Sequence, residues 1–179
     1  MNLLGLDPAT VVTGFSVFQN DILEEYGTFV SNSKETNPHM RILQIIEQIE
    51  KKVKEKNIDI IVMEEVPLSA AKNLKVAHDL CVLQGAILFL CKIYNLQLQL
   101  YMPSEWRRSI GTFMGTKESM LRDFQKQKAV EIVNQKFNLN LKYFKTENKQ
   151  NKSEDDEAEA ILIASCFLKE VYLNVKRNF

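Results

Sequence analysis

Residues 3–20, LLGLDPATVVTGFSVFQN, decide how this chain folds. A run of apolar residues ends at Asp7, the chain turns, and residues 13–20 then alternate between apolar and polar side chains. Alternation with a period of two predicts a half-buried strand, and the residues QND at 19–21 predict a tight hairpin turn. A carboxylate at the end of a buried strand is costly unless it faces a cation, so the stretch also raises the question of which cation Asp7 binds.

The rest of the chain alternates between strand and helix patterns. The predicted strands are residues 2–7, 13–20, 21–30, 58–64 and 96–102. The predicted helices are residues 40–56, 72–94, a short helix from Pro103, 117–137 and 153–173, with a loop at 111–115 and a polar, mobile segment at 138–152. This order predicts an α/β fold with a five-stranded mixed sheet, three antiparallel strands and then two parallel ones, flanked by helices on both faces.

Size and composition are those of one globular domain spanning residues 1–179, with 45% apolar and 26% charged residues. We find neither a signal-peptide pattern nor an uninterrupted apolar run of membrane-spanning length, so we expect a cytoplasmic protein that does not bind membranes. Cys81, Cys91 and Cys166 are widely spaced, which favours reduced core thiols over disulfides or a zinc site. His39 and His78 are too isolated to form a metal pair, and we expect both at the surface or partly buried.

Charge is unevenly distributed, although the net charge is zero. Residues 105–152 contain eleven Lys or Arg and five Asp or Glu, and the next seven residues, SEDDEAE, contain five acids and no base. A basic tract that runs into a group of carboxylates suits a polyanion bound beside a metal. Two solvated surfaces of opposite sign explain the same pattern.

Acidic residues stand at the ends of several predicted elements. Asp7 ends the first strand, and Glu64 ends the fourth, with Glu65 pointing to the opposite face. Asp156 and Glu159 are three residues apart and therefore share one face at the start of the last helix. If these four carboxylates converge, they require divalent cations, and oxygen ligands suit Mg²⁺ or Mn²⁺. Two such ions about 4 Å apart would clamp the attacking and leaving oxygens of a phosphodiester displacement.

Structural explanations exist for several of these residues taken singly. Ser153 and Asp156 fit a helix-capping pattern, and Glu64 fits a solvated strand end. Trp106 fits the core better than a base-stacking surface. Asp7 is the hardest to explain structurally, because it follows a buried strand directly.

Five segments, taken in order, resemble the RuvC family of Holliday-junction resolvases, which have an RNase H-like fold. The segment GLDPATVVTGFSV resembles the family's opening G-I-D-P-G-x-x-x-T-G, and IIVMEEVPLSAAKN resembles I-E-x-x-F-x-x-x-x-N. The segments YMPSEWRRSIGTFMGT and KQKAVEIV resemble P-x-x-(V/W)-K…G…K-x-x-V, and DDEAEAILIA resembles D-x-x-D-A-L-A-I-A. The resemblance covers almost the whole chain.

This resemblance implies a homodimeric endonuclease that uses two Mg²⁺ ions per site, with Mn²⁺ as a substitute. It would cut two strands of like polarity in a four-way DNA junction. The implied metal ligands and catalytic acids are Asp7, Glu64, Asp156 and Glu159, and Lys126 is our choice for the catalytic basic residue, ahead of Lys117 and Lys128. The implied DNA-binding residues are Arg107, Arg108, Lys117, Lys126, Lys128, Lys145, Lys149 and Lys152.

The chain departs from the family pattern at three positions. Ala9 replaces a glycine after Asp-Pro, and Glu159 replaces the commoner final aspartate. Pro67 stands where bacterial members have an aromatic residue that stacks at the junction, so selectivity for junctions is expected to be looser. Such departures resemble bacteriophage-encoded members. The helix predicted at 72–94 is a candidate dimer surface, although packing on its own sheet explains it equally well.

Four other functions compete with junction resolution. The first two are a branched-DNA nuclease of relaxed specificity and a YqgF-like nuclease that processes RNA. The third is the actin and sugar-kinase superfold, which also places an aspartate after its first strand but requires two domains and a longer chain. The fourth is an inactive binding module, which would have lost at least one of the four acids.

Overall fold

The opening stretch folds into the predicted antiparallel strands. β1 (Asn2–Asp7) pairs antiparallel with β2 (Val12–Gln19), which pairs antiparallel with β3 (Ile22–Val30). Asn20 and Asp21 form the turn between β2 and β3 with φ angles of 47° and 69°. Asn and Asp tolerate this left-handed conformation better than other non-glycine residues, which explains the tight hairpin at this position.

Two parallel strands complete the sheet in the computed structural model, which describes residues 1–66, 73–145 and 152–177. β4 (Ile60–Glu64) lies parallel to β1, and β5 (Gln97–Tyr101) lies parallel to β4. The strand order is β3-β2-β1-β4-β5. The predicted mixed sheet of three antiparallel and two parallel strands is therefore confirmed.

The helices follow the predicted order with adjusted boundaries. They are α1 (Pro38–Lys56), α2 (Leu74–Tyr94), α3 (Pro103–Ile110), α4 (Arg122–Phe137) and α5 (Asp155–Arg177). α1 begins two residues earlier than predicted because the Asn37 side chain accepts a hydrogen bond from the backbone N–H of His39, and proline suits the first helical position. α2 begins two residues later than predicted because Asn73 caps it.

The prediction of one continuous helix over residues 117–137 was wrong. A 3₁₀ turn at Glu118–Met120 precedes α4. The buried Ser119 hydroxyl accepts hydrogen bonds from the backbone N–H groups of Met114 and Thr116, and this local bonding holds the turn apart from the helix. The preceding loop fits the prediction, since Gly111 and Gly115 both have positive φ angles.

Helices cover both faces of the sheet and form two separate cores. Leu3, Ile60 and Val62 point to the face covered by α4 and α5, where Trp106 is fully buried. Leu4 and Leu6 point to the opposite face, which is covered by α1 and α2. Alternation along β1 therefore assigns every second residue to the α5 face, which decides where Asp7 points.

α2 is the helix in the described part of the chain that is long and apolar enough, by length and composition alone, to cross a membrane. Its residues Leu83, Ile87 and Leu90 are buried against the rest of the fold. Its outer side, by contrast, leaves Phe89 and Ile93 exposed. α2 therefore packs on the sheet with one side and presents an apolar surface with the other.

Two smaller predictions concern the cysteines and the polar segment. All three cysteines are unpaired, as expected. The polar segment is tied down at Leu141, which is buried and exchanges backbone hydrogen bonds of 2.8 and 2.9 Å with the Asn134 side chain. Residues 138–145 are thus anchored to α4, whereas residues 146–151 lie outside the described residues.

Candidate functional site

Asp7 and Glu64 end two neighbouring parallel strands on the same face of the sheet. β1 and β4 pair in register from Leu3 with Ile60 to Leu6 with Met63, so that the next residues of the two strands, Asp7 and Glu64, lie side by side. Asp7 has the same parity as Leu3, and Glu64 has the same parity as Ile60, which places both carboxylates on the α5 face.

Glycines allow α5 to approach the sheet closely. A Cβ atom added at Gly14 would lie 2.5 Å from the backbone carbonyl carbon of Asp156, and one added at Gly5 would lie 2.6 Å from the backbone oxygen of Ala160. Real Cβ atoms essentially never make contacts shorter than 3.0 Å. The Ser16 hydroxyl also donates to the Ala160 backbone oxygen at 3.0 Å. The start of α5 therefore rests directly on β1 and β2.

Close approach of α5 brings two further acids to the strand ends. Glu159 is 5% exposed, and Asp156, one helical turn earlier, is about one-third exposed. The pKa of Asp7 is raised well above its usual value, first by burial and then by the charges of Glu159, Glu64 and Asp156. Asp7 is therefore within electrostatic reach of the other three predicted acids, and we call these four residues the carboxylate cluster.

α3 supplies two groups that contact the carboxylate cluster. Arg107 Nη2 lies 3.2 Å from Glu64 Oε2 and 3.1 Å from Glu159 Oε1. Trp106 Nε1 donates a hydrogen bond of 2.6 Å to Glu64 Oε2. Burial raises the pKa of Glu64, while Arg107 and Trp106 act against that increase by favouring the carboxylate form. The sequence interpretation of Trp106 as a core residue was correct but incomplete, since the indole also orients an acid.

Lys126 lies on the other side of the cluster. Its Nζ contacts Asp155 Oδ2 and lies 3.7 Å from Asp156 Oδ1. Burial lowers the pKa of Lys126, but the hydrogen bond to Asp155 and the charges of both aspartates outweigh burial and raise it overall. The ammonium group is therefore held in its charged form beside the carboxylate cluster.

An open groove runs beside Asp156. Its lining combines basic and aromatic side chains with the acids at the start of α5: Arg122, Asp123, Lys126, Tyr143, Phe144, Lys145, Ser153, Asp155 and Asp156. Three of these side chains carry positive charge and three are aspartates, so the groove places cationic side chains next to Asp156 of the carboxylate cluster. These cationic groups can contact a polyanion whose backbone reaches the cluster.

The remaining predicted DNA-binding residues differ in their surroundings. Arg108 is exposed and stacks over Phe113, and Lys117 and Lys152 are exposed. Lys128 pairs with Glu131 at 3.1 Å, and Lys145 lies 3.7 Å from Asp123. Arg107 is held within the carboxylate cluster instead of standing on the surface. Lys149 and Pro67 lie outside the described residues.

Sequence reasoning missed two residues of the site. Arg122 lines the groove and favours the carboxylate form of Glu64, and Asp155 is 4% exposed and holds Lys126. Arg122 stands one helical turn before Lys126, so helix periodicity could have identified it. No local signal distinguishes Asp155 from Asp156, because their different burial depends on how α5 docks on the sheet.

The donor set of the carboxylate cluster fits hard divalent cations. Two half-buried strand-end carboxylates and two helix carboxylates supply oxygen atoms alone, and none of the four residues is a histidine or cysteine. Burial is the first cause of the raised pKa of Asp7, and the charges of Glu159, Glu64 and Asp156 raise it further, so repulsion among the carboxylates adds to the cost of burial. A divalent cation would offset that repulsion more fully than Arg107, whose single charge contacts two of the four acids.

A family model and a curated relative agree on the family that this chain resembles. A family model described as crossover junction endodeoxyribonuclease RuvC matches residues 3–166. The chain is similar to the curated crossover junction endodeoxyribonuclease RuvC of Finegoldia magna, with 27% identity over 181 residues, covering 97% of this chain and 98% of that protein.

Two solved structures are similar to the fold. The chain matches the RuvC structure from Thermus thermophilus with a TM-score of 0.69 and 15% identity, covering 97% of both chains. It also matches RuvC from T. thermophilus in complex with a Holliday junction substrate, with a TM-score of 0.68 and 15% identity, covering 93% of this chain and 92% of that chain. At this identity, the likeness shows the fold alone.

Proposed function

The chain belongs to the RuvC family of crossover junction endodeoxyribonucleases, and on this premise we propose that it resolves four-way DNA junctions by paired, metal-dependent nicks. The observation that carries the proposal is the convergence of Asp7, Glu64, Asp156 and Glu159 at one edge of the sheet. Asp7, Glu64 and the pair Asp156 and Glu159 come from three distant parts of the sequence, and the four carboxylates would repel one another without cations. A site of this kind, beside a groove that Arg122, Lys126 and Lys145 help to line, suits hydrolysis of a phosphodiester backbone.

We assign the four carboxylates as ligands of two divalent cations, with Mg²⁺ as the physiological ion and Mn²⁺ as a substitute. Cations bound there would favour ionisation of a water molecule and stabilise the departing 3′ oxygen. The protein's own part is to fix the ligands in position. Trp106 and Arg107 orient Glu64, and the close backbone contact at Gly14 sets how near Asp156 lies to the sheet.

Lys126 is our candidate for the basic residue nearest the scissile phosphate. Its contacts with Asp155 and Asp156 support this choice over Lys128, which pairs with Glu131. A permanently charged ammonium beside the cluster would attract a non-bridging phosphate oxygen and stabilise charge that develops there. Arg122 and Lys145, which line the same groove, are further candidates for contact with the DNA backbone.

The dimer is proposed to form through the outer face of α2. Leu88, Phe89 and Ile93 are 58%, 67% and 57% exposed, and a Cβ atom added at Gly85 would meet nothing within 4 Å. An exposed apolar stripe with a central glycine allows two helices to pack closely. Sedimentation analysis tests this surface: Phe89→Lys is expected to give monomers, whereas Met120→Lys, an equally exposed position outside α2, is expected to leave the dimer intact.

We further infer that the protein acts in the cytoplasm of a cell and comes from a bacteriophage. The cytoplasmic location agrees with a family that acts on DNA. The phage origin is inferred from the sequence departures at Ala9 and Pro67.

A panel of substrates tests the reaction. The protein is incubated with a synthetic four-way junction, linear duplex, flap DNA and structured RNA, each in Mg²⁺ or in EDTA. Symmetric nicks confined to the junction support the proposal. Equal cleavage of the flap DNA would support the branched-DNA nuclease instead, and cleavage of RNA alone would support an RNA-processing nuclease.

Neighbouring substitutions test the site. Asp7→Asn and Glu64→Gln are expected to abolish cleavage while junction binding is largely kept, because cationic side chains supply most of the affinity. Glu65→Gln is the matched control, since Glu65 is adjacent in sequence and has the opposite strand parity. Cleavage by Asp7→Asn at close to the wild-type rate would show that the catalytic site lies elsewhere.

A further inference from the structure

The fold brings together the chain's two histidines. His39 lies in the first turn of α1 and His78 at the start of the second turn of α2, and their ring centroids are 6.4 Å apart. The expectation that these histidines are isolated was therefore wrong: α1 and α2 pack side by side on the same face of the sheet, and this brings their N-terminal ends together. The two rings are exposed, so water and ions reach them freely.

A nearly buried carboxylate completes the group. The Asp79 side chain is 11% exposed, and its Oδ1 lies 3.2 Å from His78 Nδ1. One ligand atom from each of His39, His78 and Asp79 lies within 4.8 Å of the others. Burial of a carboxylate is costly unless a cation or several hydrogen bonds compensate for it. The group thus offers two imidazole nitrogens and one carboxylate oxygen at a single point.

We propose that His39, His78 and Asp79 bind a first-row transition-metal ion of the Zn²⁺ type. Imidazole nitrogen prefers such ions to Mg²⁺, and two histidines with one carboxylate form a common ligand set for them. Ligand distances of about 2.0–2.2 Å require ligand atoms to lie no more than about 4.2 Å apart. Small rotations of the two exposed histidine side chains close the present separation.

This site is separate from the carboxylate cluster in both position and chemistry. It joins α1 to α2, whereas the cluster lies on the α5 face of the sheet. Its nitrogen donors select a different class of metal from the oxygen donors of the cluster. A bound ion would fasten the N-terminal ends of the two helices to each other, and it would leave coordination positions open to water.

Nuclear magnetic resonance of the histidine side chains tests the proposal directly. Because the chain has two histidines, every imidazole signal reports on the proposed site. Zn²⁺ is titrated into the full chain in excess Mg²⁺, which keeps the carboxylate cluster occupied. Both imidazole signals are expected to change together and to saturate at one Zn²⁺ per chain. Changes in one ring alone, or none at Zn²⁺ concentrations up to about 100 µM, would overturn the proposal.

Substitutions separate the ligands from their neighbours. His39→Gln and His78→Gln are expected to abolish binding at this site, and Asp79→Asn is expected to weaken it tenfold to a hundredfold. Cys81→Ser is the matched control, because Cys81 lies one turn along α2 and offers the nearest thiol by sequence. Unchanged Zn²⁺ affinity in Cys81→Ser supports the assigned ligands, and its loss would refute them. Cleavage in Mg²⁺ is expected to be unaffected by His39→Gln.

Discussion

Gly14→Ala is the substitution that most directly tests how the fold builds the site. An alanine Cβ would lie 2.5 Å from the Asp156 carbonyl carbon and 3.2 Å from the Glu157 nitrogen. Ordinary van der Waals contact begins at 3.4 Å, and the Asp156 carbonyl oxygen lies closer still than the carbon, so the first turn of α5 must move away from β2 by at least about 1 Å. The obstacle is backbone, which cannot turn aside as a flexible side chain does. Asp156 would therefore move away from Asp7.

The expected cost has a structural and a catalytic part. Overpacking of this kind lowers the free energy of unfolding by about 1–3 kcal/mol, which corresponds to a fall of several degrees in Tm for a chain of this length. Misplacement of a catalytic group by about 1 Å lowers the rate about 100-fold. We therefore expect Gly14→Ala to fold, to bind junctions and to cleave them about 100-fold more slowly.

Single-turnover cleavage in Mg²⁺, together with thermal unfolding, measures both parts. Gly27→Ala is the matched control, because its Cβ would meet only the Phe15 ring, at 3.1 Å, and no atom of α5 within 4 Å. It is expected to lose some stability and to keep its cleavage rate. If folded Gly14→Ala cleaves within about threefold of the wild-type rate, the close approach of α5 does not set the geometry of the acids.

Three further predictions concern the groups around the carboxylate cluster. Because burial and neighbouring carboxylates raise the pKa of Asp7 above its usual 3.8, the metal-free protein should lose stability as pH rises from that value through the raised pKa. Calorimetry at pH 7 in EDTA should therefore give Asp7→Asn a higher Tm than the wild type, and a lower Tm would contradict this. Arg107→Gln leaves Glu64 and Glu159 without the cation that they share. The free energy of unfolding in urea should therefore fall by about 3 kcal/mol in EDTA and by less in Mg²⁺. An equal fall under both conditions would argue that arginine and metal do not substitute for each other. Trp106→Phe keeps a buried ring but removes the hydrogen bond to Glu64. If that bond contributes about 1.5 kcal/mol to holding Glu64 in its reactive position, single-turnover cleavage should slow about tenfold. An unchanged rate would show that the indole has only a structural role.

The local pattern of the sequence was enough to predict most elements of the fold. The alternation in residues 13–20 predicted β2, and the turn residues around Asn20 predicted the hairpin. Both signals are local, because the spacing of apolar side chains and the backbone angles preferred by turn residues depend on neighbouring positions. The same reasoning failed at Glu118–Met120, where hydrogen bonds of Ser119 to nearby backbone N–H groups hold a 3₁₀ turn apart from α4. Local pattern thus gives the elements but not every boundary.

The acids of the carboxylate cluster were also selected from the sequence, since each stands at the end of a strand or the start of a helix. Their convergence required the tertiary structure. β1 lies beside β4 because both are buried strands within one sheet, and α5 reaches them because Gly5 and Gly14 leave room for its backbone. Neither condition is visible in the spacing of Asp7 and Glu64 along the chain.

The sequence by itself determined which residue types occupy the strand ends and helix starts, and with them the class of chemistry available. Only the tertiary structure decided which of these residues meet. It brought Arg107 between two acids instead of onto the surface, buried Asp155 beside Lys126, and paired His39 with His78. The physical reason is that close packing of remote segments fixes such contacts, whereas sequence periodicity reports only on residues a few positions apart.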